Sequence, residues 1–143
     1  MGKNIERILE NSNGLNCCQK TLNAFSEDLN IDMEPALKMT AGFGSGFTQG
    51  EVCGAVSGAC MVIGLKYASS DKEDFESKKI TKEKVSLFMD EFKKENGTIK
   101  CKELLGYDCS TEEGAKIIGE KGLHQKLCPK FIGDAIKLTE EII

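Results

Sequence analysis

Residues 52–65, VCGAVSGACMVIGL, carry no charged side chain, and nothing else in the chain restricts its fold so strongly. A run of 14 residues is too short to cross a bilayer, because a spanning helix needs about 20 apolar residues. The rest of the chain must therefore cover it. Gly50, Gly54 and Gly58 recur every four residues. On a helix they make one smooth face, where a neighbouring backbone can lie close. The stretch predicts a buried helix capped at Gly50 and running to about Lys66, with Cys53 as its third residue.

The flanking segments also have helical spacing. Ile5, Ile8 and Leu9 mark a short first helix that ends near Asn13 and Gly14. Asn16 is placed to cap a second, running to about Leu29, with Leu22, Phe25 and Leu29 on one face. Pro35 suits the first turn of a third. A glycine-rich segment, AGFGSGFTQGE, then leads into the uncharged run, and residues 67–80 read as a polar surface loop. Thr81 is positioned to cap a long amphipathic helix with Val85, Phe88, Met89 and Phe92 inward, stopped at Asn96 and Gly97. A short helix follows from about Lys100 to Leu105. Ser110 and Glu113 have capping-box spacing for the next. The last is predicted to start at Cys128 and Pro129. Strand alternation, internal repeats and linkers are absent. The expectation is an all-α fold: a compact single-domain helical bundle of about six to eight helices with a glycine-rich loop, over residues 1–143.

The chain carries 19 basic and 23 acidic residues, a net charge of −4. That balance argues against nucleic acid as a partner, which a basic patch would attract. The glycine-rich segment has no following Gly-Lys-Ser/Thr, no complete dinucleotide spacing and no preceding strand, so it does not read as a phosphate cradle. The sequence MGKNIERILENSNG lacks the apolar stretch of a signal peptide. With no membrane insertion expected either, the predicted location is cytoplasmic, where thiols stay reduced.

Seven cysteines are then a high count: Cys17, Cys18, Cys53, Cys60, Cys101, Cys109 and Cys128. In a reducing compartment they point to redox or metal chemistry before structural disulfides. No C-x-x-C occurs. Cys53 and Cys60, two turns apart on one helix, are separated by about 10 Å, too far for a disulfide. Cys17 and Cys18 are vicinal, so a bridge between them would be strained. A working site must therefore join cysteines distant in sequence.

Four of them fall at predicted helix starts. Cys17 follows the Asn16 cap, Cys53 lies three residues past Gly50, Cys101 three past Thr98, and Cys128 is itself a cap. Unpaired N–H groups and the positive dipole end favour a thiolate at such places. Cys53 is accordingly expected to titrate below an ordinary thiol and to act as nucleophile, with Cys17, Cys101 or Cys128 as resolving partner. Cys60 reads as core packing, and Cys109 as a staple before the Ser110 cap. His124, the one histidine, reads as a solvated turn residue. The four thiols suit either thiol/disulfide electron transfer or ligation of an iron–sulfur cluster or a single metal ion.

The succession of Asn16-Cys17, GFGSGF, GEVCGAVSGA, KCKELLGYD and CPKFIGDA resembles the C_GCAxxG_C_C family of redox-active proteins, from about residue 16 to residue 142. The CGAxxG element, Cys53 to Gly58, is its most specific part. The resemblance implies a small all-helical domain whose four signature cysteines correspond to Cys17, Cys53, Cys101 and Cys128. Cys18, Cys60 and Cys109 lie outside the pattern. It also implies a redox partner not identified by the sequence, with a link to a transport system.

Overall fold

The uncharged run lies at the centre of the molecule, with Ala55, Val56, Ala59, Val62 and Ile63 closed to solvent. The computed structural model describes residues 2–143 and folds them into eight α-helices. These are α1 (Ile5–Glu10), α2 (Cys17–Ala24), α3 (Met33–Met39), α4 (Gly54–Tyr67), α5 (Phe75–Asn96), α6 (Cys101–Leu105), α7 (Glu112–Lys121) and α8 (Leu123–Ile142). The fold is an all-α bundle. Helices α2, α5 and α8 pack around α4. Phe25, Phe88, Phe92, Ile132 and Ile136 fill the space between them, fully buried. Burying each of these side chains is worth about 1.5–3 kcal/mol of transfer free energy, which is why the amphipathic faces close on α4. Among the described residues there is no strand, only an isolated antiparallel bridge between Val52 and Lys100. No helix among them is long and apolar enough to cross a membrane.

Several helix boundaries differ from the sequence expectation, and each has a local cause. Helix α2 ends at Ala24, and the chain leaves the helical path through turns to Asn30, at φ 53°. Helix α5 begins at Phe75, inside the expected loop, because the Asp74 carboxylate accepts the Ser77 N–H at 3.0 Å. Thr111 rather than Ser110 caps α7, its hydroxyl accepting the Gly114 N–H at 2.9 Å. Ser110 is engaged elsewhere, with the Asp108 carboxylate. Thr111→Ala should therefore lower stability by about 1 kcal/mol, the usual worth of an N-cap. Ser110→Ala should move the urea midpoint much less. Equal effects of the two would contradict this capping assignment.

Two further differences matter more. Helix α8 starts at Leu123, so Cys128 lies well inside it and Pro129 is an internal proline. Its ring removes one helical hydrogen bond, on a side where Gln125 and Pro129 are both exposed. The glycine-rich segment is the expected loop, but it carries the chain past Gly50 before α4 begins at Gly54. A 3₁₀ turn at Ala41–Phe43 is followed by four residues in left-handed conformation. Their φ values are 54° at Ser45, 62° at Gly46, 58° at Phe47 and 62° at Thr48. Left-handed backbone costs a residue with a side chain roughly 1–2 kcal/mol. The Glu51 N–H closes the turn onto the Gly46 carbonyl at 3.0 Å. The chain then runs extended through Val52, and Cys53 becomes the N-cap of α4, not its third residue. Gly54 and Gly58 keep the smooth face on α4, whereas Gly50 lies outside that helix and borders Lys102 of α6.

Candidate functional site

The short bridge sets two cysteines side by side. The Cys53 N–H donates to the Ile99 carbonyl at 2.7 Å, and the Cys101 N–H donates to the Glu51 carbonyl at 2.6 Å. Alternation along a paired strand puts Cys53 and Cys101 on one face as diagonal neighbours, with Cα atoms about 7–8 Å apart. The Lys102–Glu51 ion pair, 3.1 Å, flanks this pairing. Gly46 makes the crossing possible, since a Cβ there would lie 2.9 Å from the Cys101 Cβ and 2.6 Å from backbone atoms of Glu51.

Cys17 is the first residue of α2, and its place is fixed by a capping box. The Asn16 side chain accepts the Gln19 N–H at 2.9 Å, and the Gln19 side chain accepts the Asn16 N–H at 2.8 Å. Both amides also donate to the end of α3, Asn16 to the Thr40 carbonyl at 3.0 Å and Gln19 to the Leu37 carbonyl at 2.9 Å. Helix α2 lies directly on α4. A Cβ at Gly54 would stand 2.9 Å from the Cys18 nitrogen and 3.1 Å from the Cys17 Cβ. Cys128 reaches the same place from α8, and its side chain lines one pocket with that of Cys17. The thiols of Cys17, Cys53, Cys101 and Cys128 thus converge, each close enough to perturb the others electrostatically.

The thiols do not titrate alike. Burial pushes the Cys53 thiol up to about 12, and the neighbouring Cys17 adds to this. The N–H groups of Ala55 and Val56 favour the thiolate, but they do not outweigh desolvation. This overturns the expectation that Cys53 would titrate below an ordinary thiol. The helix start is present, but so is a side chain only 5% exposed. Burial likewise pushes Cys101 up to about 12, with Cys53 and Cys109 contributing. Cys18, fully buried, and Cys60 rise to about 11 for the same reason. Cys128 is raised by its hydrogen bond to Cys17, then by burial. Cys17 alone among these is lowered: the hydrogen bond from Cys128 favours its thiolate most, and Lys20 assists against the cost of burial.

Cys17 and Cys128 border an open pocket of about 320 Å³, with Asn16, Lys20, Ser45 and His124 around it. A roomier apolar cavity of about 810 Å³, between α3 and the outer side of α4, has no cysteine in its lining. Among the described residues, no three His, Cys, Asp or Glu side chains stand, as placed, in a group able to hold a metal ion.

Two residues have neighbours that the sequence did not suggest. His124 is half-buried, not a solvated turn residue, and its Nδ1 lies 3.4 Å from the Cys128 Sγ. Burial lowers its pKa, so the imidazole is neutral at pH 7. The four-residue spacing of His124 and Cys128 was the available signal, legible once the helix is known to begin before both. Cys109 is not a staple for a Ser110 cap. Its thiol donates to the Ser45 carbonyl at 3.4 Å, and it contributes to raising the Cys101 thiol.

A family model described as "Putative redox-active protein (C_GCAxxG_C_C)" matches residues 15–142. No curated protein and no solved structure matches the chain.

Proposed function

The chain belongs to the C_GCAxxG_C_C family of redox-active proteins, and from that premise we propose that it reduces disulfide-bearing substrates through a Cys17–Cys128 dithiol. One observation carries this reading. Of the four converging cysteines, Cys17 is the one only partly buried, and it is the one whose thiolate is favoured. Cys53, Cys101 and Cys128 are 5%, 8% and 8% exposed. The nucleophile's role therefore passes from Cys53 to Cys17, and Cys128 becomes the resolving thiol.

The Cys17 thiolate attacks one sulfur of the substrate disulfide. That bond breaks, a mixed disulfide forms on Cys17, and the first substrate thiolate leaves and takes up a proton. Cys128 then attacks the Cys17 sulfur. The mixed disulfide breaks, a Cys17–Cys128 disulfide forms, and the second substrate thiol leaves. His124 Nδ1, 3.4 Å from Cys128, stands where it can take the proton that Cys128 gives up. Two electrons pass from the protein dithiol to the substrate. A dithiol in this role works from the reduced state, which fits a cytoplasmic location. A disulfide-bearing component of a transport system would suit as partner, on the family's account.

Convergence from four separate segments favours a second reading, in which Cys17, Cys53, Cys101 and Cys128 ligate an iron–sulfur cluster or a single metal ion. The opposite pKa shifts of Cys17 and Cys128, which line one pocket, favour the dithiol.

Alkylation of the reduced protein against pH, read peptide by peptide, tests the assignment. At pH 7 Cys17 should react at least tenfold faster than any other cysteine. Its profile should reach half-maximum below the ordinary thiol value of 9.0. Cys128→Ala removes the donor and should move that profile upward. An unreactive Cys17, together with stoichiometric iron and sulfide in protein purified without oxygen, would replace this reading with the second.

A further inference from the structure

We propose that Cys101 and Cys109 form a second dithiol, which returns electrons to the Cys17–Cys128 pair by disulfide exchange within the chain. This rests on the reading of Cys17 and Cys128 as a redox pair.

Cys109 lies outside the four-cysteine pattern, yet the fold turns it toward Cys101. Helix α6 is only five residues long and ends at Gly106, whose φ of 81° is left-handed. The Gly106 N–H closes onto the Lys102 carbonyl at 3.0 Å, and the chain reverses there. Asp108 holds the returning strand, its carboxylate accepting both the Ser110 N–H at 2.9 Å and the Ser110 hydroxyl at 2.6 Å. Cys109 is thereby carried back beside the start of α6. Its thiol reaches the Ser45 carbonyl, while Cys101 packs against Gly46, the next residue of the same left-handed turn. The two side chains are thus held against adjacent residues of one turn, Cys109 at Ser45 and Cys101 at Gly46.

Their surroundings differ as those of a relay would. Cys101 is almost closed to solvent and has Cys53 and Cys17 within electrostatic range, and Cys128 in turn has Cys101. Cys109 borders an open depression of about 340 Å³, which shares Ser45 and His124 with the pocket over Cys17. One thiol of the second pair thus faces the first pair, and the other faces the outside.

The exchange balances without an external reagent. Starting from the Cys17–Cys128 disulfide, the Cys101 thiolate attacks the Cys128 sulfur. The Cys17–Cys128 bond breaks, a Cys101–Cys128 bond forms, and Cys17 departs as the thiolate, since the sulfur with the lower pKa leaves faster. Cys109 then attacks the Cys101 sulfur. The Cys101–Cys128 bond breaks, a Cys101–Cys109 bond forms, and Cys128 is released. The protons of Cys101 and Cys109 pass to the two released sulfurs or to solvent. One disulfide is reduced and one dithiol is oxidised.

The test uses the whole reduced protein and bis(2-hydroxyethyl) disulfide as probe. Wild-type protein should reduce two equivalents, Cys109→Ser one, and Cys17→Ser none. Tryptic mapping without reductant gives a second measurement that needs no variant. After oxidation by the probe, the peptide of residues 101–102 should be linked to that of residues 103–116, and the peptide of residues 8–20 to that of residues 127–130. A mixed disulfide joining residues 101–102 to residues 127–130, trapped in Cys109→Ser, would be the intermediate itself. A wild-type protein that stops at one equivalent, with residues 8–20 linked to residues 127–130 and both Cys101 and Cys109 still alkylatable, overturns the second pair and leaves the first standing. No linked peptide of either kind overturns both.

Discussion

Fully reduced protein taken from pH 8 to pH 10 should lose on the order of 5 kcal/mol of stability, because four thiols shielded by the fold keep protons that the unfolded chain gives up. The four are Cys18, Cys53, Cys60 and Cys101, which burial raises to about 11, 12, 11 and 12 from an ordinary 9.0. The sign follows from which state holds the proton. Below pH 9 both states keep it, and these thiols contribute their full stability. Between 9 and the folded values only the native state keeps it, so stability falls by about 1.4 kcal/mol per pH unit for each thiol. Cys17 runs the other way: its lowered value adds stability as pH rises through it toward 9. The curve should therefore climb slightly before it drops. Urea midpoints measured from pH 7 to 10 under a phosphine reductant would show this. Cys53→Ala should remove about a quarter of the fall. A level curve above pH 9 would mean that the thiols are not shielded as the fold implies.

Gly58→Val is expected to cost about 3 kcal/mol, as overpacking at a close contact does. A Cβ at position 58 would lie 2.8 Å from the Cys18 carbonyl oxygen, 3.3 Å from its Cα and 3.0 Å from the Thr21 Cβ. Two of these are backbone atoms of α2, so the helix itself would have to move. Helix α2 carries Cys17, and its displacement should also part Cys17 from Cys128. The alkylation profile of Cys17 should then shift toward higher pH along with the loss of stability. Gly64, on the same helix, has nothing within 4 Å of its would-be Cβ. Gly64→Ala should instead stabilise by up to about 1 kcal/mol through helix propensity. Equal stability for the two variants would remove the α2–α4 contact as the reason for the glycine.

The helices were legible because their packing faces are periodic. Val85, Phe88, Met89 and Phe92 announce α5, and the uncharged run announces α4. The convergence of Cys17 with Cys53 was partly legible too, since Gly54 and Gly58 leave room for another backbone. Helix starts were less so. Pro129 suits a first turn, but α8 tolerates it inside because that side is exposed, and this hid the pairing of His124 with Cys128. Ser45, Phe47 and Thr48 give no local sign of positive φ, so the left-handed turn that makes Cys53 a cap was invisible. The raised pKa of Cys53 depends on how much of the bundle closes over it. A spacing rule for helix starts does not contain that quantity.

The bridge between Val52 and Lys100 also orders events in time. It joins backbone segments 48 positions apart, and Cys128 joins them only when α8 docks. Such non-local pairings form late, because the cost of closing long loops comes before their reward. On the ribosome, Cys17, Cys18, Cys53 and Cys60 emerge well before α8. Until then Cys17 lacks the thiol that favours its ionised form. The selective reactivity of Cys17 thus begins with the last helix, which is also when the buried thiols, open to cross-linking in the nascent chain, are closed away.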